Sequence, residues 1–367
     1  MMRYKLLGHT GLRVSEVSLG AMTFGQDWGW GASEDESRRI FDAFLEAGGN
    51  FVDTASIYTN GTSERFLGTF MSGQRERIVL ATKYSGHTPM LPASDPNVVG
   101  NHRKNLVQTV ETSLRNLKTD YIDILYVHAW DYLTPVEEVM RALDDLVRAG
   151  KVLYLGVSDT PAWIISRGNT LASLKDWSPF VVTQIEYNLI ERTAEREIIP
   201  MTHALDLGVT AWSPLAGGLL TGKYTTEKKE DNEQRRLDQN THLDRGNARV
   251  QAVVQTLTRV AQDINATPAQ VALAWLIRRG IIPIIGARTL SQFQQNLGVL
   301  DVTLPDEAFH SLNDASKIEL GFPHEYALQP YANKTIYGGY FGKIDMHRPS
   351  DIPEAVLLEA EKYRQQK

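Results

Sequence analysis

The sequence predicts a closed (β/α)8 barrel of the TIM type. Three observations carry that prediction. Short apolar runs alternate with longer helical patterns from about residue 17 to residue 300. There are eight such runs, each apolar on both faces, as parallel strands covered by helices must be. No G-x-G-x-x-G follows the first run, so the rival doubly wound sheet lacks its phosphate-binding fingerprint.

The elements follow in order. Residues 1–14 predict a β-hairpin turning at His9-Thr10-Gly11, ahead of the barrel. VSLGAMTF (17–24) reads as the first strand. Ser33 stands three residues before Glu36, the spacing of a capping box, and Ile40, Phe41, Phe44 and Leu45 follow at helical period. NFVDTA (50–55) and IVLATKY (78–84) are the second and third strands, and the helix NHRKNLVQTVETSLRNL comes next. IDILYVH (122–128) is the fourth strand. Thr134-Pro135 with Glu137 then opens a helix, with Pro expected at its first position. LYLGVSD (153–159), VVTQIEY (181–187), GVTAWSP (208–214) and IIPIIGA (281–287) complete the eight. Thr267-Pro268-Ala269-Gln270 is a second capping box. A polar, highly charged stretch at 223–247 reads as a mobile loop after the seventh strand. Residues 315–367 form a tail with a last helix near 352–365. The whole reads as one domain over 1–367, with the barrel at about 15–300.

Composition narrows the chemistry. A net charge of −6 over 367 residues argues against nucleic acid as a partner, while leaving room for a local basic pocket. With no cysteine, disulfides, thiolate metal sites and thiol nucleophiles are excluded. No apolar run has signal-peptide or membrane-spanning length, so the expected setting is cytoplasmic with no membrane partner.

A parallel barrel places its chemistry at the C-terminal ends of strands. Asp53 ends the second run, with Tyr58 five residues beyond it; Lys83 ends the third and His128 the fourth. A Lys closing an apolar run is costly to bury unpaired, and Asp53 is its natural partner. An ammonium beside a phenol favours the phenolate, so Lys83 would make Tyr58 a better proton donor. His128 would orient a carbonyl oxygen. Such a cluster protonates an oxygen as charge develops on it, which suits carbonyl reduction by a hydride donor.

FVDTASIY, ATKY and YVHAWD resemble the Asp, Tyr, Lys and His motifs of the aldo-keto reductase superfamily, over roughly residues 3–315. The opening LGHTGLRVSEVSLGAMTFG is similar to bacterial members and to potassium-channel β subunits. The resemblance implies catalytic roles for Tyr58, Asp53, Lys83 and His128, and a nicotinamide cofactor lying across the barrel mouth. It implies backbone contacts from Gly20, Ala21 and Met22, near Asp53, and a carboxamide pair of Ser158 and Gln184. Asp159 stands where most relatives carry Asn. Trp212 would stack on the nicotinamide, and Ser213, Pro214, Leu215, Ala216, Gly217 and Lys223 would surround the pyrophosphate. Gly286 and Arg288 would meet a 2′-phosphate, favouring NADPH (NADP+) over NADH. Gln292, Gln295 and Asn296 follow, with Gln295 replacing the usual Glu at the adenine.

Trp28, Trp30, Tyr84 and Trp130 follow strand ends and read as the wall of a pocket for an apolar or aromatic carbonyl. The expected partner is therefore a small-molecule carbonyl substrate. Homo-oligomer formation stays open, because relatives with this pattern include monomers and larger assemblies. Two other functions compete. One is a cofactor-sensing subunit like the channel β subunits, against which His128 argues. The other is a metallo-hydrolase using Asp53 and His128, which lacks the further clustered ligands a metal needs, so no metal is expected.

Overall fold

A computed structural model describes residues 1–86, 95–222, 247–340 and 343–345. The eight expected strands form a closed parallel barrel: β3 (Ser18–Gly20), β4 (Phe51–Asp53), β5 (Val79–Tyr84), β6 (Ile122–Val127), β7 (Val152–Ser158), β8 (Phe180–Glu186), β9 (Gly208–Trp212) and β10 (Ile282–Ile285), with β10 closing against β3. Several are shorter than their apolar runs. The run at 17–24 leaves the ladder after Gly20, where Ala21 still donates its N–H to Asp53 O and Phe24 folds back onto Ala21 O. Burial, not strand geometry, keeps the rest of that run apolar: Ala21 and Phe24 are fully buried.

The N-terminal segment forms the expected hairpin from β1 (Tyr4–Leu6) and β2 (Arg13–Ser15). It plugs the N-terminal mouth of the barrel. Leu7 and Val14 pack with Phe51, Val79, Val181 and Ile282, where the barrel strands begin. Gly8 makes the close approach possible. It sits at φ +54, and a Cβ there would lie 2.4 Å from Val181 O.

Helices pack outside: α1 (Glu34–Glu46), α2 (Thr62–Phe70), α3 (Arg103–Leu117), α4 (Val136–Arg148), α5 (Ala162–Lys175), α6 (Ile198–Ala204), α7 (Ala248–Asp263), α8 (Pro268–Arg278) and α9 (Leu290–Leu297). After the barrel come α10 (Asp306–Ser316), α11 (His324–Leu328) and α12 (Pro330–Tyr337). The capping signals met different fates. At α8 both bonds of the box form: Gln270 N donates to Thr267 Oγ1 at 3.2 Å and Thr267 N to Gln270 Oε1 at 3.0 Å. At α1 Ser33 accepts from Glu36 N, but the Glu36 carboxylate does not reach back. It accepts instead from Leu290 N at 2.6 Å, so it caps α9 and ties the two helices together. At α4 the expected first-turn proline is Pro135 as N-cap, because its ψ of 139° is extended and the helix begins one residue later. Thr134 donates to Asp131. Of the charged loop expected at 223–247, residues 223–246 lie outside the described residues, as does the helix expected near 352–365, while Asn247 caps α7.

No helix among the described residues is long and apolar enough to cross a membrane.

Candidate active site

The ends of β4, β5 and β6 converge as the sequence predicts. Lys83 is fully buried on β5, and its ammonium has three donors. All three are used: Asp53 Oδ1 at 2.6 Å, Thr54 O at 2.8 Å and Tyr58 Oη at 3.2 Å. Asp53 spends its other oxygen on Gln184 Nε2, at 2.9 Å. The pair is thus buried with its hydrogen bonds made, the condition under which a buried ion pair is tolerated. Burial pushes the Lys83 pKa down, but the Asp53 carboxylate and Tyr58 outweigh it and leave it raised, so the ammonium stays charged.

Tyr58 is half-buried and carried by a tight turn after β4. Thr59 and Asn60, next in the chain, adopt left-handed backbones at φ 44 and 55. Neither is glycine, so the turn is held by its surroundings. Thr59 does the holding: its hydroxyl donates to Phe24 O at 2.6 Å and accepts from Ser63 N at 3.1 Å. The Tyr58 ring lies edge-on to His128, with centroids 5.8 Å apart. Burial, helped by the Lys83 charge, pushes the His128 imidazole down to about 3. His128 is therefore neutral over the working pH range and presents one N–H.

Two cavities meet at this corner. The first is a cleft of about 460 Å3 lined by Tyr58 and Asp53. Gly20, Met22, Gln184, Trp212, Ser213, Pro214, Leu215, Gly217, Gly286, Arg288, Gln292, Gln295 and Asn296, which the resemblance assigns to a cofactor, also line it. Ala21, Ser158 and Ala216 are fully or almost fully buried and are not among the residues lining either cavity. Lys223 lies outside the described residues. Sequence reasoning missed Thr23, Gly218, Thr221, Thr267 and Ala269. The box at 267–270 announced a helix start, and only the fold reveals that this start faces the cleft. The cleft suits an elongated polar group. Ser213 Oγ is buried in its wall without a hydrogen-bond partner. Gly217 and Gly218, at φ 62 and 102, expose bare backbone, and Arg288 supplies a cation beside α9.

The second cavity, about 580 Å3, is lined by His128, Ile57, Val99, Trp130, Leu133, Asp131 and Asp159 among others. Asn101, fully buried and unforeseen, fixes its wall. Its Nδ2 donates to Ser85 Oγ and Ala129 O, its Oδ1 accepts from Asp131 N at 2.8 Å, and its N–H reaches Asp131 Oδ2 at 2.7 Å. Asp159 stands at the junction. Trp212 Nε1 donates to its Oδ1 at 2.9 Å, so the indole on the cleft side and the carboxylate on the cavity side hold each other. Asp159 is open to solvent through the mouth yet flanked by protein, and burial raises its carboxyl pKa against the pull of Trp212 and Lys83.

The expected aromatic wall is partly corrected. Trp28 and Trp30 pair at 5.6 Å, Trp28 also meets Tyr58 at 6.4 Å, and Trp30 lines the cleft. Trp130 lines the second cavity. Tyr84 does not belong to the wall. Its side chain is fully buried among Leu106, Val110 and Val127, and its hydroxyl donates to Asn101 O. The alternation of a strand explains this: Lys83 points into the barrel, so Tyr84 points out beneath the helices. Among the described residues no cluster of three His, Asp or Glu is placed to hold a metal.

Comparison with known proteins identifies the family. A family model for the aldo/keto reductase family matches residues 16–317. An aryl-alcohol dehydrogenase [NADP(+)] of Phanerodontia chrysosporium is 39% identical over 333 residues, 86% of this chain and 86% of its own. A norsolorinic acid reductase of Aspergillus flavus is 37% identical, over 88% of this chain and 83% of its own. An aldo-keto reductase of Emericella nidulans is 35% identical, over 89% and 84%. These relatives are fungal, whereas the opening segment pointed to bacterial ones. The chain therefore belongs to the aldo/keto reductase family and is an oxidoreductase.

Proposed function

We propose that this protein reduces aldehydes or ketones to alcohols with NADPH, with Tyr58 as the general acid. The carrying observation is the Lys83 ammonium, whose third donor lies on Tyr58 Oη; Tyr58 lines the cleft, and His128, 5.8 Å from its ring, lines the second cavity. Bound in the cleft, NADPH supplies the hydride that the carbonyl carbon takes up. Everything else falls to the chain. Trp212, Gln184 and Ser213 shape the inner cleft, and Arg288 beside α9 supplies the cation for a 2′-phosphate. The substrate enters the second cavity and places its oxygen between Tyr58 and His128. Neutral His128 donates its one N–H to that oxygen and fixes its direction. As negative charge builds on the oxygen, Tyr58 gives up its proton, and the alcohol forms. The charge left on Oη is met by the Lys83 ammonium, which Asp53 keeps oriented. The phenol then recovers its proton from solvent.

The names of the fungal relatives, which pair an aryl alcohol and NADP(+) in one case, support an aromatic carbonyl as the substrate. A panel of aromatic and aliphatic aldehydes and ketones, run in parallel with NADPH and NADH, tests the reading. Turnover of aryl aldehydes with NADPH above NADH is expected. Tight NADPH binding with no turnover of any carbonyl would contradict it and favour a cofactor sensor.

A further inference from the structure

We propose that the second cavity admits uncharged carbonyl substrates and rejects anionic ones, with the Asp159 carboxylate as the discriminating charge. This rests on the reading of the site as a carbonyl reductase. The cavity has an unusual charge inventory for a site beside a catalytic lysine. Its described lining holds two carboxylates, Asp131 and Asp159, two histidines, His102 and His128, and neither Lys nor Arg. The Lys83 ammonium, bonded to Tyr58, is fully buried and its three donors are engaged. His128, which lines the cavity, is neutral because burial holds its pKa near 3. No Lys or Arg among the described lining residues is placed to meet an anion.

The two carboxylates differ. Asp131 is committed to the loop: Asn101 N, Leu133 N, Thr134 N and Thr134 Oγ1 all donate to it. Asp159 accepts from Trp212 Nε1 through Oδ1, and it sits on a left-handed backbone at φ 42 with its N–H bonded to Gln184 O. A non-glycine residue stays in that region only when its surroundings hold it. Asp159 is thus fixed between indole and cavity with its charge facing the space the substrate enters. The remaining wall, Trp130, Ile57, Val99 and Leu133, suits an uncharged aromatic body.

The expected discrimination follows from Coulomb's law. A substrate carboxylate a few ångströms from Asp159, in a mouth partly open to water, is disfavoured by on the order of tenfold. The test is a near-isosteric pair, 4-formylbenzamide and 4-carboxybenzaldehyde, measured on the full chain and on Asp159→Asn. Asn keeps an acceptor for Trp212 Nε1 and removes only the charge. The readout is the ratio of the two kcat/KM values, in which any general loss of turnover cancels. The wild type is expected to favour the amide by on the order of tenfold, and the variant to bring the ratio to within about twofold of unity. Binding of the same pair to the NADP+-saturated protein, followed by tryptophan fluorescence, gives the ratio without turnover. Equal kcat/KM values in the wild type, or a ratio unmoved in Asp159→Asn, overturns charge selection. Absence of turnover with the binding ratio intact overturns the reductase reading and leaves the charge selection standing.

Discussion

The cleft and the second cavity share one corner but sort charge in opposite ways. The cleft holds Arg288 and a Lys-paired Asp53, with no unpaired acid in its described lining, and its inner wall is backbone and indole. The described lining of the second cavity holds two aspartates and no lysine or arginine. The difference teaches how one ammonium serves both. Lys83 is fully buried with all three donors engaged, and its charge bears on Tyr58 directly and on His128 and Asp159 at longer range. On the proposed reading, anion recognition falls to Arg288 and proton donation to Tyr58, so each can be broken alone.

Lys83→Met should show the largest effect of the supporting residues. It removes the cation and leaves Asp53, 3% exposed, with Gln184 as its one side-chain donor. Breaking a buried pair by removing one partner costs about 3–5 kcal/mol. Denaturant unfolding should show a loss of that size, and turnover should fall at least about a hundredfold. Unchanged stability would mean that water reaches the pair.

Arg288→Gln comes next and isolates the cleft. A charge-assisted hydrogen bond contributes about 1.5–3 kcal/mol, so Kd for NADPH should rise by roughly tenfold to a hundredfold. Kd for NADH, which lacks the 2′-phosphate, should change by no more than about twofold. Equal weakening of both would place Arg288 elsewhere along the cofactor.

His128 gives the smallest effect, and its sign is fixed by linkage. The folded pKa, about 3, lies below the ordinary 6.5. As pH falls below 6.5 the unfolded chain takes up a proton that the folded chain refuses until about 3. Stability from this group is therefore present above pH 6.5 and lost between there and pH 3. Melting temperatures measured from pH 7.5 down to pH 4.5 should fall less in His128→Asn than in the wild type. Identical slopes would show a solvated imidazole.

The two regions were also unequally legible. The quartet could be read because Asp53, Lys83 and His128 close apolar runs, Tyr58 follows one of them by five residues, and consecutive barrel strands are neighbours. Tyr84 was misread for the same reason: proximity to a strand end says nothing about which face a side chain takes. The cleft residues carried motif signals, though Thr267 and Ala269 read only as a helix start. The second cavity was nearly silent. Asn101 and Asp131 act through loops whose geometry no periodicity encodes, and the Asp159–Trp212 bond joins residues 53 positions apart. Glu64 was invisible too. A charged residue in a helical pattern reads as solvent-facing, yet it is fully buried against Thr82 and Asn116, and burial raises its pKa.

The most direct test of the central role is Tyr58→Phe, with NADPH bound before an aryl aldehyde is mixed in and hydride loss followed over a single turnover. Phe keeps the ring packed against Trp28 and His128 and removes only the hydroxyl. NADPH should bind within about twofold of the wild type, while hydride transfer slows by about 10²–10⁴. Transfer at a near wild-type rate would contradict the assignment of Tyr58 as the acid.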